Sequence, residues 1–572
     1  MNIANQSTHY HFRLGAYQNQ IDTAIELFKQ KDVLNRIWQH DYTVWKPSPQ
    51  EITNRLAWLD IIEEFSPDKI TEMISLRTQL IEAGYRHCVL LGMGGSSLAP
   101  ELFSLVFSSD ITSSESLSLS VLDSTCPLSV QDISSQKDLE KTAFIVSTKS
   151  GTTEETLSFF KYFYRLLVNR NIHDVGEHFI AITDPGTKLE ELAKQLSFRQ
   201  IYLNNPNLGG RYSALSYFGL APAALCGIDI PLLLDRARNT RESCRPMKNL
   251  EDNPSVMLGL SLGELAKSGR DKITFIASPT LIPFCDWIEQ LIAESTGKEG
   301  KGILPVVDEP ITTIDHYGND RLFIILELAG EEIDLPQALE ANVPSIKIHL
   351  DDIYDLGGQF FIWELATAIA GYCLEINPFD QPNVEATKKN VRRLVKAYKQ
   401  TGIIPDESAL TGKNDDDFFP EISSSASSNE YLKKIIEIGK PGDYVAIQAF
   451  VYPQKPIRQK LQEFRIILRD KTNLATTLGF GPRFLHSTGQ LHKGDRGNGI
   501  FIQISSDFPQ DLPIPDSVES DVSSLSFGSL IKAQAMGDYL ALRQANRRVI
   551  RFHLSGDLPQ EIDRLIQSLI SI

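Results

Sequence analysis

Two stretches of this chain concentrate glycine and hydroxyl side chains immediately behind short apolar runs. Cys88-Val89-Leu90-Leu91 leads into Gly92-Met93-Gly94-Gly95-Ser96-Ser97, and Ala143-Phe144-Ile145-Val146 leads into Ser147-Thr148-Lys149-Ser150-Gly151-Thr152-Thr153. A helical pattern follows each, so backbone N–H groups, hydroxyls and the positive end of a helix dipole meet at one place. Those three features together make an anion site, and phosphate suits it best. Either stretch alone also fits an ordinary turn capped by Ser and Thr. Two of them on successive units of one sheet favour a ligand, because open parallel sheets bind ligands outside the carboxyl ends of their strands. Neither stretch has the G-x-x-x-x-G-K-[ST] pattern, and Ser97 stands where a dinucleotide fingerprint would have its third glycine. The common nucleotide loops are therefore disfavoured.

The elements that would position these loops are legible from the apolar pattern. Ile21, Ile25 and Phe28 lie at helical spacing, and Ser48-Pro49 reads as the cap and first turn of a second helix, so residues 1–80 are expected to be helical. The runs at 88–91, 143–146 and 179–182 each pass through a loop into a helix, which predicts a doubly wound parallel sheet in a first domain, 81–230. The pattern restarts at Ile273–Ile276 and continues with strands at 322–326 and 346–350 and a helix near 361–376, giving a second α/β domain at 231–404. Asn414-Asp415-Asp416-Asp417 and the serine-rich 423–428 mark a linker at 405–430. Residues 431–572 read β-α-β-β-α-β, the order of a ferredoxin-like unit.

The chain has 572 residues, 73 acidic against 56 basic, and a net charge of −17. Nucleic acid is an unlikely main partner for so acidic a protein, although local donors can still hold a small anion. The six cysteines form no C-x-x-C pair, which fits a reducing cytoplasm better than a disulfide framework or a zinc site. There is no signal-peptide pattern and no apolar run approaching the ~20 residues of a membrane span. A cytoplasmic location and no membrane partner are expected.

Five segments carry a family resemblance: LGMGGSSLAPELF (91–103), STKSGTTEET (147–156), GGRYSALS (209–216), AESTGK (293–298) and INPFDQPNVEATK (376–388). In this order they resemble the glucose-6-phosphate isomerase family over most of residues 40–400. The segments 479–494 and 526–539 resemble the isomerase half of bifunctional transaldolase/glucose-6-phosphate isomerase proteins. The transaldolase half needs its own barrel of ~250 residues, and with only some 80 residues ahead of the first sugar-isomerase domain that activity is expected to be absent. The resemblance implies two sugar-isomerase domains and an aldose–ketose isomerisation through an enediolate, a step of glycolysis and gluconeogenesis, with no cofactor and no metal. It implies Glu294 as the base, Arg211 beside the enediolate, and Lys388 in ring opening. It also implies substrate contacts from Gly95, Ser96, Thr148, Lys149, Ser150, Thr153, Gly210 and Gln381, with Lys149 acting through its place in the loop rather than its ammonium. By their types alone Glu294 could be a solvated helix-end carboxylate, and Lys388 one member of the basic face Lys388-Lys389…Arg392-Arg393.

Many family members place a ring-opening histidine after a Gly-Gln pair and across a dimer interface. Here Gly358-Gln359 is followed by Phe360, which cannot move a proton. The tail loop 484–494 offers His486 and His492 as substitutes, imidazoles being suited to proton transfer near pH 7. A homodimer is implied by the family, and the tail leaves open the docking of a separate transaldolase. A dual phosphoglucose/phosphomannose isomerase and a non-catalytic sugar-phosphate sensor are the rival readings, and a carboxylate at 294 argues against a sensor.

Overall fold

The computed structural model describes residues 2–5, 8–108, 115–136, 138–336, 343–405, 421–422 and 428–572. Most of the expected linker, including Asn414–Asp417 and the serine run at 423–427, lies outside the described residues.

The first sheet is parallel, in the order Ser118–Leu122, His87–Gly92, Thr142–Ser147, Phe179–Thr183, Gln200–Leu203. Both faces of its central strands are buried, and alternate residues enter different cores. Cys88 and Leu90 join the large core shared with the second sheet, whereas Val89 and Leu91 join a separate cluster under the Glu154–Asn169 helix. Continuous apolar strands are what a parallel sheet covered on both sides requires. Chain order reverses between His87–Gly92 and Thr142–Ser147, so the two glycine- and hydroxyl-rich loops leave the sheet side by side at the point where such folds bind ligands.

The second sheet has the parallel core Leu304–Val306, Lys272–Ala277, Arg321–Leu328, Ser345–Leu350. Its far edge corrects the helical expectation for the N-terminus. Thr8–Arg13 pairs antiparallel with Ser345–Leu350, and Asn2–Asn5 adds a further strand. The period-two burial of Thr8–Arg13, with Tyr10 and Phe12 inside, is a strand signal that outweighs neighbouring helix propensity. The helix Gln18–Gln30 forms as expected, burying Ile21, Ile25 and Phe28. Ser48-Pro49 starts no helix; the same Ser-Pro device does so at Ser66-Pro67, where Ser66 caps Pro67–Glu82.

The tail has the expected elements in a different topology. Tyr444–Phe450, Ala475–Phe480, Gly499–Ser506 and Arg548–Leu554 pair parallel throughout, so the ferredoxin-like assignment is replaced by a third open α/β sheet. The connection 481–498 carries the short helix Gly489–Gly494 and crosses over the sheet instead of turning back as a hairpin. The strands are apolar on both faces, which an antiparallel sheet with one solvated face would not support.

This third sheet is welded to the second. Arg465, buried in the Lys455–Thr472 helix, donates Nη1 to the Asp308 carbonyl at 2.9 Å, Nη2 to the Val307 carbonyl at 3.0 Å and Nε to the Thr476 carbonyl at 3.0 Å. Arg465→Met would leave those carbonyls buried without donors, costing on the order of 3 kcal/mol. Urea unfolding should show a clearly lowered midpoint, and an unchanged midpoint would mean that the junction is held by apolar packing alone.

Candidate active site

The site residues expected from the sequence, His492 excepted, line one cavity of about 850 Å³: Glu294, Arg211, Lys388 and His486, together with Gly95, Ser96, Thr148, Lys149, Ser150, Thr153, Gly210 and Gln381. The floor comes from the two loops of the first sheet. A 3-10 turn at Gly94–Ser96 begins with Gly94 at φ +56°, a left-handed conformation that favours glycine. Gly95 lies against the backbone of Gly210, so closely that a Cβ there would sit 2.0 Å from the Gly210 carbonyl oxygen. In the second loop the Thr148 and Thr153 hydroxyls are 2.7 Å apart, and Ser150 Oγ accepts from Thr152. The Lys149 ammonium turns away to Asp184 and to the Pro206 carbonyl at 3.1 Å, so it serves the loop rather than the open space.

Arg211 is the centre of the wall. It is 3% exposed, and its donors are almost fully used. Nε donates to Ser295 Oγ (2.7 Å), Nη2 to the carbonyls of Pro378 (2.7 Å) and Asp380 (3.0 Å), and Nη1 to Gln381 Oε1 (3.2 Å). Nη1 also lies 3.3 Å from Glu294 Oε1. Glu294 projects from the last turns of Ile282–Thr296, with Gln290 Nε2 donating to its Oε2 at 3.1 Å. The same Gln290 amide donates to the His486 carbonyl at 2.8 Å, tying the tail loop to the carboxylate.

His486 comes from the 3-10 turn after the third sheet's second strand, and its Nε2 is 3.1 Å from Glu155 Oε1. Glu155 is buried; burial raises its pKa, but His486 and the amide of Gln534 at 2.7 Å outweigh this and hold it below the ordinary carboxylate value. Gln534 is itself fixed by the Thr125 hydroxyl. His492, in contrast, is a core residue outside the cavity, packed on Phe501 and hydrogen-bonded to Gln448, and burial pushes its pKa well down. Lys388 stands on the rim, half-exposed, with its ammonium 2.9 Å from Glu385 on the same helix.

Phe360 is not at the site. It is fully buried between Phe103, Phe284 and Trp287, so phenylalanine there takes nothing from the cavity. Four further residues at or behind the site escaped the sequence reading: Glu155, Gln290, Gln534 and Lys298. Glu155 and Lys298 lie inside the matching segments, where a carboxylate in a helix's first turn and a lysine behind a glycine look like solvated groups. Gln290 and Gln534 gave no signal, since their helices place them by tertiary packing alone.

These features bring a carboxylate, a guanidinium, an imidazole and two hydroxyl-rich loops to one cavity between adjoining α/β units. Residues 79–319 match the family described as phosphoglucose isomerase. The chain is similar to a probable glucose-6-phosphate isomerase of Methanococcus maripaludis, 29% identical over 66% of this chain and 88% of that one. A glucose-6-phosphate isomerase of Clostridium tetani is 28% identical over 59% of this chain and 86% of its own length. The fold is shared with the crystal structure of a glucose-6-phosphate isomerase from Chlamydia trachomatis, at a TM-score of 0.60 and 16% identity over 72% of this chain and 91% of that one.

Among the described residues no group of three or more His, Cys, Asp or Glu side chains is arranged to hold a metal ion, and no helix is long and apolar enough to cross a membrane.

Lys298 gives a pH signature. It is buried behind Arg211, its ammonium 2.8 Å from Asp380 Oδ1, and burial followed by the Arg211 charge lowers its pKa to about 8. In the unfolded chain a lysine keeps a pKa of ~10.4. Between these values the unfolded state binds more protons, so stability rises with pH, by up to about 1.4 kcal/mol per pH unit. Measured against Lys298→Met, the native chain should gain relative stability from about pH 8 to about pH 10. A flat difference would show that the ammonium is not held at this expense.

Proposed function

We propose that this chain interconverts glucose 6-phosphate and fructose 6-phosphate through an enediolate, working in the cytoplasm. The observation that carries this reading is the Glu294–Arg211 pair, 3.3 Å apart, facing the same cavity as two hydroxyl-rich loops at a sheet switch point. The phosphate is assigned to Ser96, Thr148, Ser150 and Thr153 and to the N–H groups that open the helix Glu154–Asn169. The sugar then extends towards Arg211, Gln381 and Glu294.

Glu294 takes the proton from C2 and returns it to C1, or the reverse. Gln290 fixes the carboxylate through one oxygen, leaving the other beside the guanidinium. Arg211 stabilises the oxygen that becomes negative; it remains protonated throughout and is already rigidly held, so little reorganisation is needed as the charge develops. His486 opens the ring. The Nε2–H donates a hydrogen bond to the Glu155 carboxylate, which leaves Nδ1 as the acceptor. Glu155, Gln290 and Gln534 are positioning residues for this pair. Lys388, paired with Glu385 on the rim, is assigned to the sugar's outer edge. The histidine comes from this chain's own tail, so the site needs no residue from a second copy.

Each of 81–230, 231–404 and 431–572 is read as a unit built on one sheet, the second also borrowing the N-terminal strands. The cytoplasmic assignment is supported by six cysteines that are all buried and unpaired.

A coupled assay should detect glucose 6-phosphate made from fructose 6-phosphate by the purified chain. Glu294→Gln should lower kcat about 10²- to 10⁴-fold while binding of fructose 6-phosphate is retained, since an amide keeps the shape but takes no proton. Near-native turnover in that variant would overturn the assignment. His486→Ala should slow turnover of cyclic glucose 6-phosphate more than that of an open-chain analogue, with Glu155→Gln acting in the same direction more weakly. Equal effects on both substrates would remove His486 from ring opening.

A further inference from the structure

The cavity extends beyond the groups that an isomerase reaction on a sugar monophosphate uses. About 850 Å³ lies near the top of the ~300–1,000 Å³ range that encloses drug-sized ligands, and a hexose monophosphate is smaller than those. The unused part runs along the Val384–Thr401 helix, whose Lys388, Arg392, Lys396 and Lys399 line it. Steps of four, four and three residues keep these cations on one stripe, roughly 16 Å long at ~1.5 Å per residue.

Lys388 pairs with Glu385, which Arg392 also faces, and Lys399 acts on Asp516, but Arg392, Lys396 and Lys399 close no hydrogen bond or ion pair among the described residues. The facing helix Glu154–Asn169 brings Glu154 and Glu155 to the cavity and offsets part of the row's charge. There burial holds Lys161 below the usual lysine range, and Lys399 acts in the same sense against Glu154 and Asp516. Of the charged side chains lining the whole cavity, eight are basic and three acidic, in a chain whose net charge is −17. Like charges at i,i+4 repel, so this row is maintained at a cost that a bound polyanion would relieve.

We propose that the stripe Arg392, Lys396 and Lys399 is a second anion site, continuous with the sugar-phosphate site, for a compact metabolite carrying several phosphate groups. Such a ligand enters the same mouth and competes with the substrate. The competition, though not the binding, rests on the loops at 94–97 and 148–153 being the monophosphate site. A nucleic acid strand is the other polyanion to consider; a concave pocket walled by three helices favours the compact ligand.

The test uses the full chain with sodium tripolyphosphate and orthophosphate as probes in titration calorimetry. The native chain should bind tripolyphosphate at least about tenfold more tightly than orthophosphate, and tripolyphosphate should inhibit competitively against fructose 6-phosphate. Arg392→Gln/Lys396→Gln/Lys399→Gln should lose that tenfold while retaining orthophosphate affinity, and kcat and KM should stay within about twofold. Lys396→Gln alone, with an unchanged melting temperature, should give part of the loss and guard against misfolding of the triple variant. The proposal is overturned if the triple variant binds tripolyphosphate as the native chain does. It is equally overturned if orthophosphate affinity and KM worsen in step, because the row would then be only a general attractive field. Tighter binding of a short oligonucleotide than of tripolyphosphate would also sink it. If the chain isomerises nothing, the functional reading fails but the calorimetric comparison still decides this site.

Discussion

One buried guanidinium connects the parts of the chain that make the site. Arg211 sits on the loop behind the first sheet, yet its donors end on Ser295 from the second domain's helix and on Pro378, Asp380 and Gln381 from the connection after Leu356–Cys373. A lysine could not meet so many acceptors at fixed angles, and an unpaired cation at this depth would be too costly to keep. Satisfying its donors fixes three segments at once, and Glu294 is placed against it as a consequence. The contact between Gly95 and Gly210 closes the same arrangement from the floor, since any side chain at 95 would force the phosphate loop away from the arginine loop.

The tail is structurally part of this site rather than an appendage. Its sheet shares a core with the second domain through Leu304, Val306, Tyr444 and Ala446, and Phe527 stacks on Phe159 over the first. Arg483 reaches Glu101 and, at 3.0 Å, Asp123 of the first sheet, so the loop that carries His486 is clamped on both sides. The imidazole therefore arrives with its orientation set by Glu155, itself set by Gln534 and Thr125. A chain of buried hydrogen bonds of this kind has no slack, and it couples the third sheet's packing directly to the geometry over the cavity.

Charge is distributed to the same end. The chain is acidic overall, yet most of the charged side chains that line the cavity are basic. Lys388, Arg392, Lys396 and Lys399 of the Val384–Thr401 helix line this cavity while staying exposed, and the helix packs on Phe527–Gln544.

The sequence by itself determined the three central strands of the first sheet and the two loops behind them, because each is local: an apolar run, a turn chemistry, a helix start; the edge strands Ser118–Leu122 and Gln200–Leu203 were not read from it. It also placed the four strands of the tail's parallel sheet after residue 431, since burial on both faces leaves largely apolar runs, but not the short pair Pro513–Ile514 and Leu525–Ser526. It did not determine how those strands pair, because parallel and antiparallel sheets can be built from the same runs and only the long crossover at 481–498 distinguishes them. The N-terminal strand was missed for a related reason. Thr8–Arg13 is a short alternating segment whose partner, Ser345–Leu350, lies more than three hundred residues away. Reading Phe360 as a lost catalytic position failed because a Gly-Gln pair within a fully buried helix carries no information about which side faces a ligand. Glu155 at His486, Gln290 between Glu294 and the His486 carbonyl, and Lys298 behind Arg211 depend on contacts between units. No spacing along the chain records them; they exist only once the three sheets have packed around a single guanidinium.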